Sequence, residues 1–238
     1  MHRLPSIPWL LVLACLPLAC SAAPPDARPT APAATTPTPP PPRHPPVFTQ
    51  RPSMAEANAT FATAGVQPGQ PLPTFPLLEL DGTACDLRTL QSGRPLLLVT
   101  CSLTCNVARR QQAKVTALQQ RFGDTVAIVM VYTIDAHPSG EPCPYTGTEW
   151  VPPANEQDDV LVGQPTTLAT RLALAKRYAR DWAGATRVLV DSMDDAAWQA
   201  LGRAPNVGLC IDANGIVRAR TGWFDADALA TELQRLAR

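Results

Sequence analysis

The stretch that decides the fold is PLLLVTCSLTC at residues 95–105, followed after a helix by TVAIVMVYT at 125–133. Each of these stretches contains an unbroken apolar run, which is typical of a strand covered on both faces of a sheet. Between them, apolar residues recur at helical spacing from Val107 to Phe122, and Gly123 follows as a stop signal. A strand, a helix and a second strand in this order predict a βαβ unit of a parallel sheet.

The pattern on either side of this unit predicts the rest of the fold. An Asp-Gly turn within residues 77–83 predicts a β-hairpin before the unit, and a long polar insert follows it at 137–166. The remaining segments predict a helix from Leu168, a strand at 187–190, a short helix at 194–201, a hairpin at 207–219 and a last helix through Leu236. This order resembles the thioredoxin-like fold. We therefore predict an α/β thioredoxin-like domain over residues 65–238: a central mixed sheet flanked by helices, with an N-terminal β-hairpin extension and a long insert after the second buried strand.

The first residues have the composition of an export signal. Arg3 precedes an apolar run at 8–19 that has signal-peptide length and is too short to span a bilayer, so residues 1–20 are predicted to be a leader. A small residue directly before Cys20 resembles a bacterial lipoprotein cleavage box and predicts lipidation of Cys20. Lipidation at Cys15 and simple secretion are the alternatives. The protein is thus expected in the cell envelope as a lipid-anchored protein facing the periplasm or the exterior.

Proline dominates the segment that follows the leader. Eleven of the 27 prolines lie between Pro24 and Pro46, among alanines and threonines with hardly any large apolar side chain. Such a stretch cannot bury enough apolar surface to offset its chain entropy. Residues 21–64 are therefore predicted to be a disordered tether, with a short helix near its end at 54–64.

Charge and residue usage exclude several classes of function. Twenty basic residues balance twenty acidic ones, so no nucleic-acid partner is expected, and the membrane is expected to be contacted only through the lipid anchor. His2 and His44 are expected outside the domain, which leaves His137 as its single histidine; neither a metal nor a cofactor is predicted. Five cysteines follow the leader, an odd number, so at least one thiol is unpaired or pairs transiently.

Cys105 occupies the position in this pattern best suited to chemistry. It lies where a buried strand turns into a helix, and the unpaired N–H groups of a helix N-terminus stabilise a thiolate and lower its pKa. Ser102 or Thr104 could cap the same helix or contact a substrate. His137 follows the next strand and is expected at the same edge of the sheet, where it could hold the thiolate as an ion pair or donate a proton. A buried structural cysteine and a solvated histidine are the alternatives.

Six motifs resemble the iodothyronine deiodinase family, above all its bacterial deiodinase-like branch. They are RPLLLVTCSLTC at 94–105, VYTIDAH at 131–137, QPTT at 164–167, VDSMDD at 190–195, APN at 204–206 and GWFD at 222–225. The resemblance implies that Cys105 matches the selenocysteine of the animal enzymes and that Asp135, Ala136 and His137 match their Glu-Ala-His motif. Asn106 stands where proline often follows the selenocysteine.

Further site residues follow from the resemblance and from spacing. The resemblance implies that Pro205 faces Cys105 and positions the substrate. Asp135 could orient His137 or serve only to form the turn. Trp150 in the insert and Trp223 could form a wall for an apolar or aromatic substrate, or could simply be packing residues. Two other cysteines are candidates for resolving an oxidised Cys105. They are Cys101, which forms a C-x3-C spacing with Cys105, and Cys143, which lies in the insert that we expect to be mobile. Cys101 is also readily explained as a core thiol.

We predict an exported thiol oxidoreductase in which the Cys105 thiolate is the nucleophile. The family implies reductive dehalogenation, as in thyroxine 5'-deiodination; general thiol–disulfide chemistry on a small molecule or a protein disulfide fits as well. An external thiol is the expected electron donor, and a homodimer is left open. Two other functions compete. One is a peroxiredoxin-like thiol peroxidase, although Leu98 and Ser102 replace the usual proline and threonine of that motif. The other is a non-catalytic surface lipoprotein that uses the fold as a binding module.

Overall fold

The predicted βαβ unit lies at the centre of a mixed seven-stranded sheet. A computed structural model describes residues 43–238. Its strands are β1 (Leu77–Leu78), β2 (Ala84–Cys85), β3 (Leu96–Cys101), β4 (Ala127–Tyr132), β5 (Arg187–Asp191), β6 (Gly208–Ile211) and β7 (Val217–Thr221). Their order across the sheet is β2-β1-β5-β4-β3-β6-β7. The three central strands β5, β4 and β3 are parallel, and every other pairing is antiparallel.

Seven helices accompany the sheet in the described part of the chain. They are α1 (Met54–Thr63), α2 (Leu87–Gln91), α3 (Asn106–Phe122), α4 (Pro153–Gln157), α5 (Leu168–Tyr178), α6 (Ala196–Ala200) and α7 (Ala226–Leu236). A π-helical turn, Ala179–Ala183, continues α5. The unit β3–α3–β4 followed by the β6–β7 hairpin and α7 is the thioredoxin-like arrangement, with β1 and β2 as the N-terminal hairpin. The predicted fold class is therefore confirmed.

The register of the two central strands decides where the site lies. All residues of β3 and β4 are buried, as their unbroken apolar runs predict. The strands pair in parallel through Leu96 and Ala127 at one end and through Cys101 and Tyr132 at the other. Their carboxyl ends therefore meet at one edge of the sheet. The turns that carry Cys105 and His137 both leave from that edge.

Helix α5 buries a different face from the one its apolar residues predict. In the sequence, Leu168, Leu172, Ala175 and Ala179 fall at helical spacing and predict one shared apolar face, yet Leu168 is 37% exposed and Leu172 is only partly buried. The buried residues are Arg171, Ala175 and Tyr178. Arg171 is drawn inward because its guanidinium pairs with the buried carboxylate of Asp195.

Residues 43–64 are structured, unlike the disordered tether predicted there, and α1 lies where the short helix was predicted. Helix α1 begins with a capping box in which Ser53 and Glu56 each bind the other's backbone N–H. Phe61 on this helix is buried. We call residues 43–63 the N-terminal strap. Apolar contacts with the domain offset the entropy cost that composition alone predicts would keep this segment disordered.

The leader, with Cys15 and Cys20, and residues 21–42 of the predicted tether lie outside the described residues. From Arg43 to the C-terminus, no helix is long and apolar enough to cross a membrane.

The insert after β4 is ordered rather than mobile. Its backbone is held by hydrogen bonds such as Ser139 N–H to Val162 O at 2.9 Å and Cys143 N–H to Thr148 O at 3.0 Å. Cys143 and Tyr145 are buried. The insert contacts the turns at the carboxyl edge of the sheet, since Asn155 donates to Thr104 O at 3.0 Å and Trp150 O lies 3.0 Å from His137 Nδ1.

Candidate active site

Cys105 is the N-cap residue of α3. Its Sγ accepts a hydrogen bond from the backbone N–H of Ala108 at 3.4 Å. The residue is only 1% exposed. The predicted position at a strand-to-helix turn is thus observed, and the thiol itself serves as the helix cap in place of Ser102 or Thr104.

Burial reverses the pKa shift that this position predicts. Loss of solvent around Cys105 raises the pKa of its thiol to about 11. The N–H groups of Ala108 and Val107 and the charge of Arg109 act in the opposite direction and lower the pKa, but by less. The expectation of a lowered pKa is therefore wrong for the resting protein. Cys105 is a neutral thiol at pH 7.

Alkylation kinetics should report this shift directly. Because the pKa of Cys105 is about 11, its thiolate fraction is on the order of 10⁻⁴ at pH 7. Below the pKa, this fraction rises tenfold with each unit of increase in pH. The rate of modification by iodoacetamide, followed by peptide mapping, is expected to rise without a plateau between about pH 7 and 10. Glutathione, an unburied thiol, is the control and should level off near pH 9 to 10. A plateau for Cys105 below about pH 8 would contradict the shift.

Asp135 organises the turn beside Cys105. Its buried carboxylate accepts hydrogen bonds from Thr104 N–H at 3.0 Å, from Thr104 Oγ1–H at 2.9 Å and from the Tyr132 hydroxyl at 2.8 Å. Desolvation raises the pKa of Asp135, and these hydrogen bonds oppose the shift. Thr104 Oγ1 also accepts from His137 N–H at 3.0 Å. Asp135 therefore fixes the backbone of His137 through Thr104, with no direct contact to its ring.

The hydroxyls predicted to bind substrate are used inside the protein. Thr104 is committed to Asp135 and His137, and Ser102 Oγ accepts from Ala136 N–H at 3.2 Å. Both residues, like Asp135, are buried and do not line the cavity described below. They join the turn after β3 to the turn after β4, so their role in the structure is to position the site.

His137 is a neutral hydrogen-bonding group in this site. Its Nδ1 lies 3.0 Å from the carbonyl oxygen of Trp150, which can only accept, so Nδ1 carries the proton. Burial, together with the charges of Arg51 and Arg109, lowers the pKa of His137 to about 4, although the Trp150 carbonyl opposes this. A thiolate–imidazolium pair, one of the predicted roles, is therefore not favoured at rest. The neutral ring offers Nε2 as an acceptor.

A small cavity of about 70 Å³ adjoins His137. His137, Trp150 and Pro205, three of the predicted site residues, all line it. The other lining residues are aromatic or apolar: Phe48, Pro52, Met54, Ala57, Phe61, Tyr145 and Trp223. Tyr145 connects this cavity to Cys143, because the Tyr145 backbone N–H donates to Cys143 Sγ at 3.4 Å.

The two candidate resolving cysteines are buried thiols. Cys101 ends β3 and is fully enclosed; burial raises the pKa of its thiol well above the usual range, and Cys105 raises it further. Cys143 donates its S–H to Ala136 O at 3.1 Å. All five cysteines within residues 43–238 are unpaired in this structure. Either thiol stays a candidate for the resolving role.

Arg109 belongs to the site but was not among the predicted residues. Its guanidinium donates to Asn155 Oδ1 at 2.9 Å and to Asp158 Oδ2 at 2.8 Å in the insert, and to the carbonyl of Leu103. Asn155 in turn donates to Thr104 O at 3.0 Å. The sequence holds one signal for this arrangement, since Arg109 falls at helical spacing with the buried face of α3.

The sequence profile of the iodothyronine deiodinase family matches residues 56–223. The chain belongs to the iodothyronine deiodinase family. This match covers all six motifs apart from the final two residues of the last one, and membership in this family supports an oxidoreductase activity. No curated protein sequence matches the chain.

Several solved structures share the general arrangement at low identity. The thioredoxin domain of a thiol-disulfide oxidoreductase from Bacteroides vulgatus is 13% identical, with 73% of this chain and 100% of that chain covered and a TM-score of 0.48. A thioredoxin family thiol:disulfide interchange protein from Chlorobium tepidum is 14% identical, with coverages of 74% and 100% and a TM-score of 0.46. The exposed lipoprotein thioredoxin of Streptococcus pneumoniae is 17% identical, with coverages of 68% and 98% and a TM-score of 0.45. Likenesses of this extent carry no inference about the site.

Proposed function

We propose that this deiodinase-family protein is an exported thiol oxidoreductase in which Cys105 attacks an electrophilic centre. One observation carries the proposal: Cys105 caps α3 beside the turn that places His137 on an apolar cavity. A thiol at the N-terminal end of a helix receives backbone N–H groups that stabilise negative charge on sulfur. Family membership is the second support.

Reaction requires that Cys105 lose its proton after the substrate arrives. The resting thiol is neutral because it is buried, so the thiolate forms only when a proton acceptor is within reach. The unprotonated Nε2 of neutral His137 can accept a hydrogen bond from the thiol or from a substrate hydroxyl. The charge on sulfur is then stabilised by the Ala108 and Val107 N–H groups and by Arg109.

For a carbon–iodine substrate the proposed steps balance as follows. The Cys105 thiolate attacks iodine, so an S–I bond forms, the C–I bond breaks and the carbon takes up a proton. Carbon is reduced and the Cys105 sulfur is oxidised to a sulfenyl iodide. A second thiol then attacks that sulfur, an S–S bond forms, and iodide leaves with its electron pair. In total, one aryl iodide and two thiols give one arene, one disulfide and hydrogen iodide.

The second thiol is Cys101, Cys143 or an external thiol, and no bound cofactor is required. With a disulfide as substrate, the same thiolate attacks sulfur and forms a mixed disulfide, which the second thiol resolves. Both reactions use the same nucleophile and the same electron donor.

The test is to trap the adduct that a substrate forms on Cys105 and to compare the amounts of product formed and dithiothreitol consumed. Reduced protein is mixed with para-iodophenol or, separately, with a low-molecular-weight disulfide, and dithiothreitol serves as donor. Iodide release, dithiothreitol oxidation and peptide mass maps are recorded. We expect one iodide per dithiothreitol oxidised and an adduct or mixed disulfide on Cys105. Absence of any Cys105 adduct with both substrates would overturn the proposal.

The burial of Cys105 favours a second candidate, a non-catalytic binding module of the cell surface. A neutral thiol that is only 1% exposed is also what a structural cysteine would show. Under this alternative, the trapping experiment yields no adduct while the protein stays folded. Mass spectrometry of the mature protein from its membrane fraction tests the accompanying proposals of export and of lipid attachment at Cys20.

A further inference from the structure

The N-terminal strap is fastened to the domain at several points. His44 Nε2 lies 2.9 Å from Asp195 Oδ2, and Arg43 pairs with the same carboxylate at 3.5 Å. The backbone N–H groups of Val47 and Phe48 donate to the insert, at Pro144 O (3.2 Å) and Tyr145 O (2.8 Å). The strap is therefore held against the insert along its extended part, ahead of α1.

The aromatic residues of the strap pack on those of the cavity. Phe61 makes edge-to-face contacts with Phe48, Tyr145 and Trp223, with ring centroids 5.5 to 6.0 Å apart. Five of the ten residues that line the cavity belong to the strap. One wall of the candidate substrate site is thus built from a segment that lies mostly ahead of the family match at residue 56.

The cavity bounded by this wall is too small for an aromatic ring. Its volume is about 70 Å³, whereas a buried apolar cavity of about 150 Å³ accommodates benzene. Within the described residues, the indole N–H of Trp223 has no hydrogen-bond partner. Trp223 lines the cavity outside the strap, and its unused donor fits a cavity that a larger ligand with an acceptor group fills once the strap wall is displaced.

We propose that the N-terminal strap is the specificity-determining wall of this site, and that Phe48 sets the size of molecule that reaches Cys105. The inference rests on the proposed function, because it assigns the cavity as the route to Cys105. Phe48 is the suitable residue to vary: it lines the cavity and is only partly buried, whereas Phe61 is in the core. Small reagents pass the wall as it stands; larger ones pass only when the Phe48 ring is removed or displaced.

The test compares two alkylating reagents of different size at Cys105. Iodoacetamide and N-pyrenylmaleimide are reacted with the full chain, and peptide mapping gives the rate for each at Cys105. In Phe48→Ala, the ratio of the bulky to the small reagent's rate is expected to rise by about tenfold, as for a pocket that loses a size limit. Phe75→Ala is the matched control, because Phe75 lies on a separate cavity with Leu72 and Leu87. Its ratio should stay within about twofold of the wild type.

The ratio separates access through the wall from access through unfolding. Opening of the whole domain exposes Cys105 to both reagents and so raises both rates together. An unchanged ratio in Phe48→Ala, or an equal rise in Phe75→Ala, would overturn the assignment of the wall. Neither outcome depends on turnover. Failure of this inference is therefore distinguishable from failure of the proposed function, because the proposed function is tested separately by the Cys105 adduct.

Discussion

A Cys105→Ser protein is expected to lose thiol-dependent turnover by on the order of 10³-fold or more, because removal of a nucleophile leaves only the residual effect of binding. Serine is close in size to cysteine and can still accept from Ala108 N–H, so the helix cap is retained. The oxygen does not take part in disulfide chemistry. The measurement is iodide release and disulfide reduction at matched protein concentration.

Cys85→Ser is the control for this substitution. Cys85 lies in β2 at the far edge of the sheet and is partly exposed, so its loss should leave turnover within about twofold of the wild type. Equal activity of Cys105→Ser and the wild type would contradict the assignment of the nucleophile. A loss in Cys85→Ser as large as that in Cys105→Ser would show that the effect is not specific to the site.

Arg171→Leu is expected to lower the free energy of unfolding by about 3 to 5 kcal/mol, the usual cost of breaking one side of a buried ion pair. The side chains of Arg171 and Asp195 are both 0% exposed, and Arg171 also donates to the carbonyl oxygens of Asp191 and Ser192. Leucine leaves the Asp195 carboxylate buried with less compensation. Urea denaturation measures the loss.

Two further variants define the cause of that loss. Arg187→Leu removes an exposed ion pair with Glu79 and should cost less than about 1 kcal/mol. Arg171→Leu combined with Asp195→Asn removes the buried carboxylate that has lost Arg171 but that Arg43 and His44 still contact, and should recover part of the stability. Equal losses in Arg171→Leu and Arg187→Leu would contradict a role for burial.

The central part of the fold could be predicted because local and tertiary signals agree there. The runs that became β3 and β4 are apolar at every buried position except Thr100, and Gly123 follows α3 where its helical spacing ends. The position of Cys105 follows from the same pattern. Since parallel strands end at one edge, the proximity of the Cys105 and His137 turns could be predicted as well.

The helix of the N-terminal strap was predicted at 54–64, but the packing of the strap on the domain could not be predicted because it depends on distant contacts. A composition poor in large apolar side chains predicts too little burial to offset the entropy cost of ordering the segment. The compensating contacts of Phe48 and Phe61 involve residues near 145 and 223. For the same reason the prediction of the buried face of α5 was wrong. Arg171 is buried there because it pairs with Asp195, which lies 24 positions away along the chain.

Charge states were the least predictable part of the site. A helix N-terminus lowers the pKa of a thiol and burial raises it, and the sequence reveals the first effect but not the depth of burial. The same holds for His137, whose neutrality depends on enclosure by the insert and the strap. Sequence patterns place such residues at an edge of the sheet, and packing then decides how they titrate.

The enclosure of Cys105 also bears on oxidative damage. Progress from sulfenic to the irreversible sulfinic and sulfonic acids requires a thiolate and access for the oxidant. Under the proposed function, Cys105 ionises only while a substrate occupies the site, so its sulfur is an inert thiol for most of the protein's lifetime. Hydrogen peroxide present between turnovers meets a neutral, covered sulfur. Burial that slows the proposed attack on a substrate would thus also protect Cys105 from irreversible oxidation.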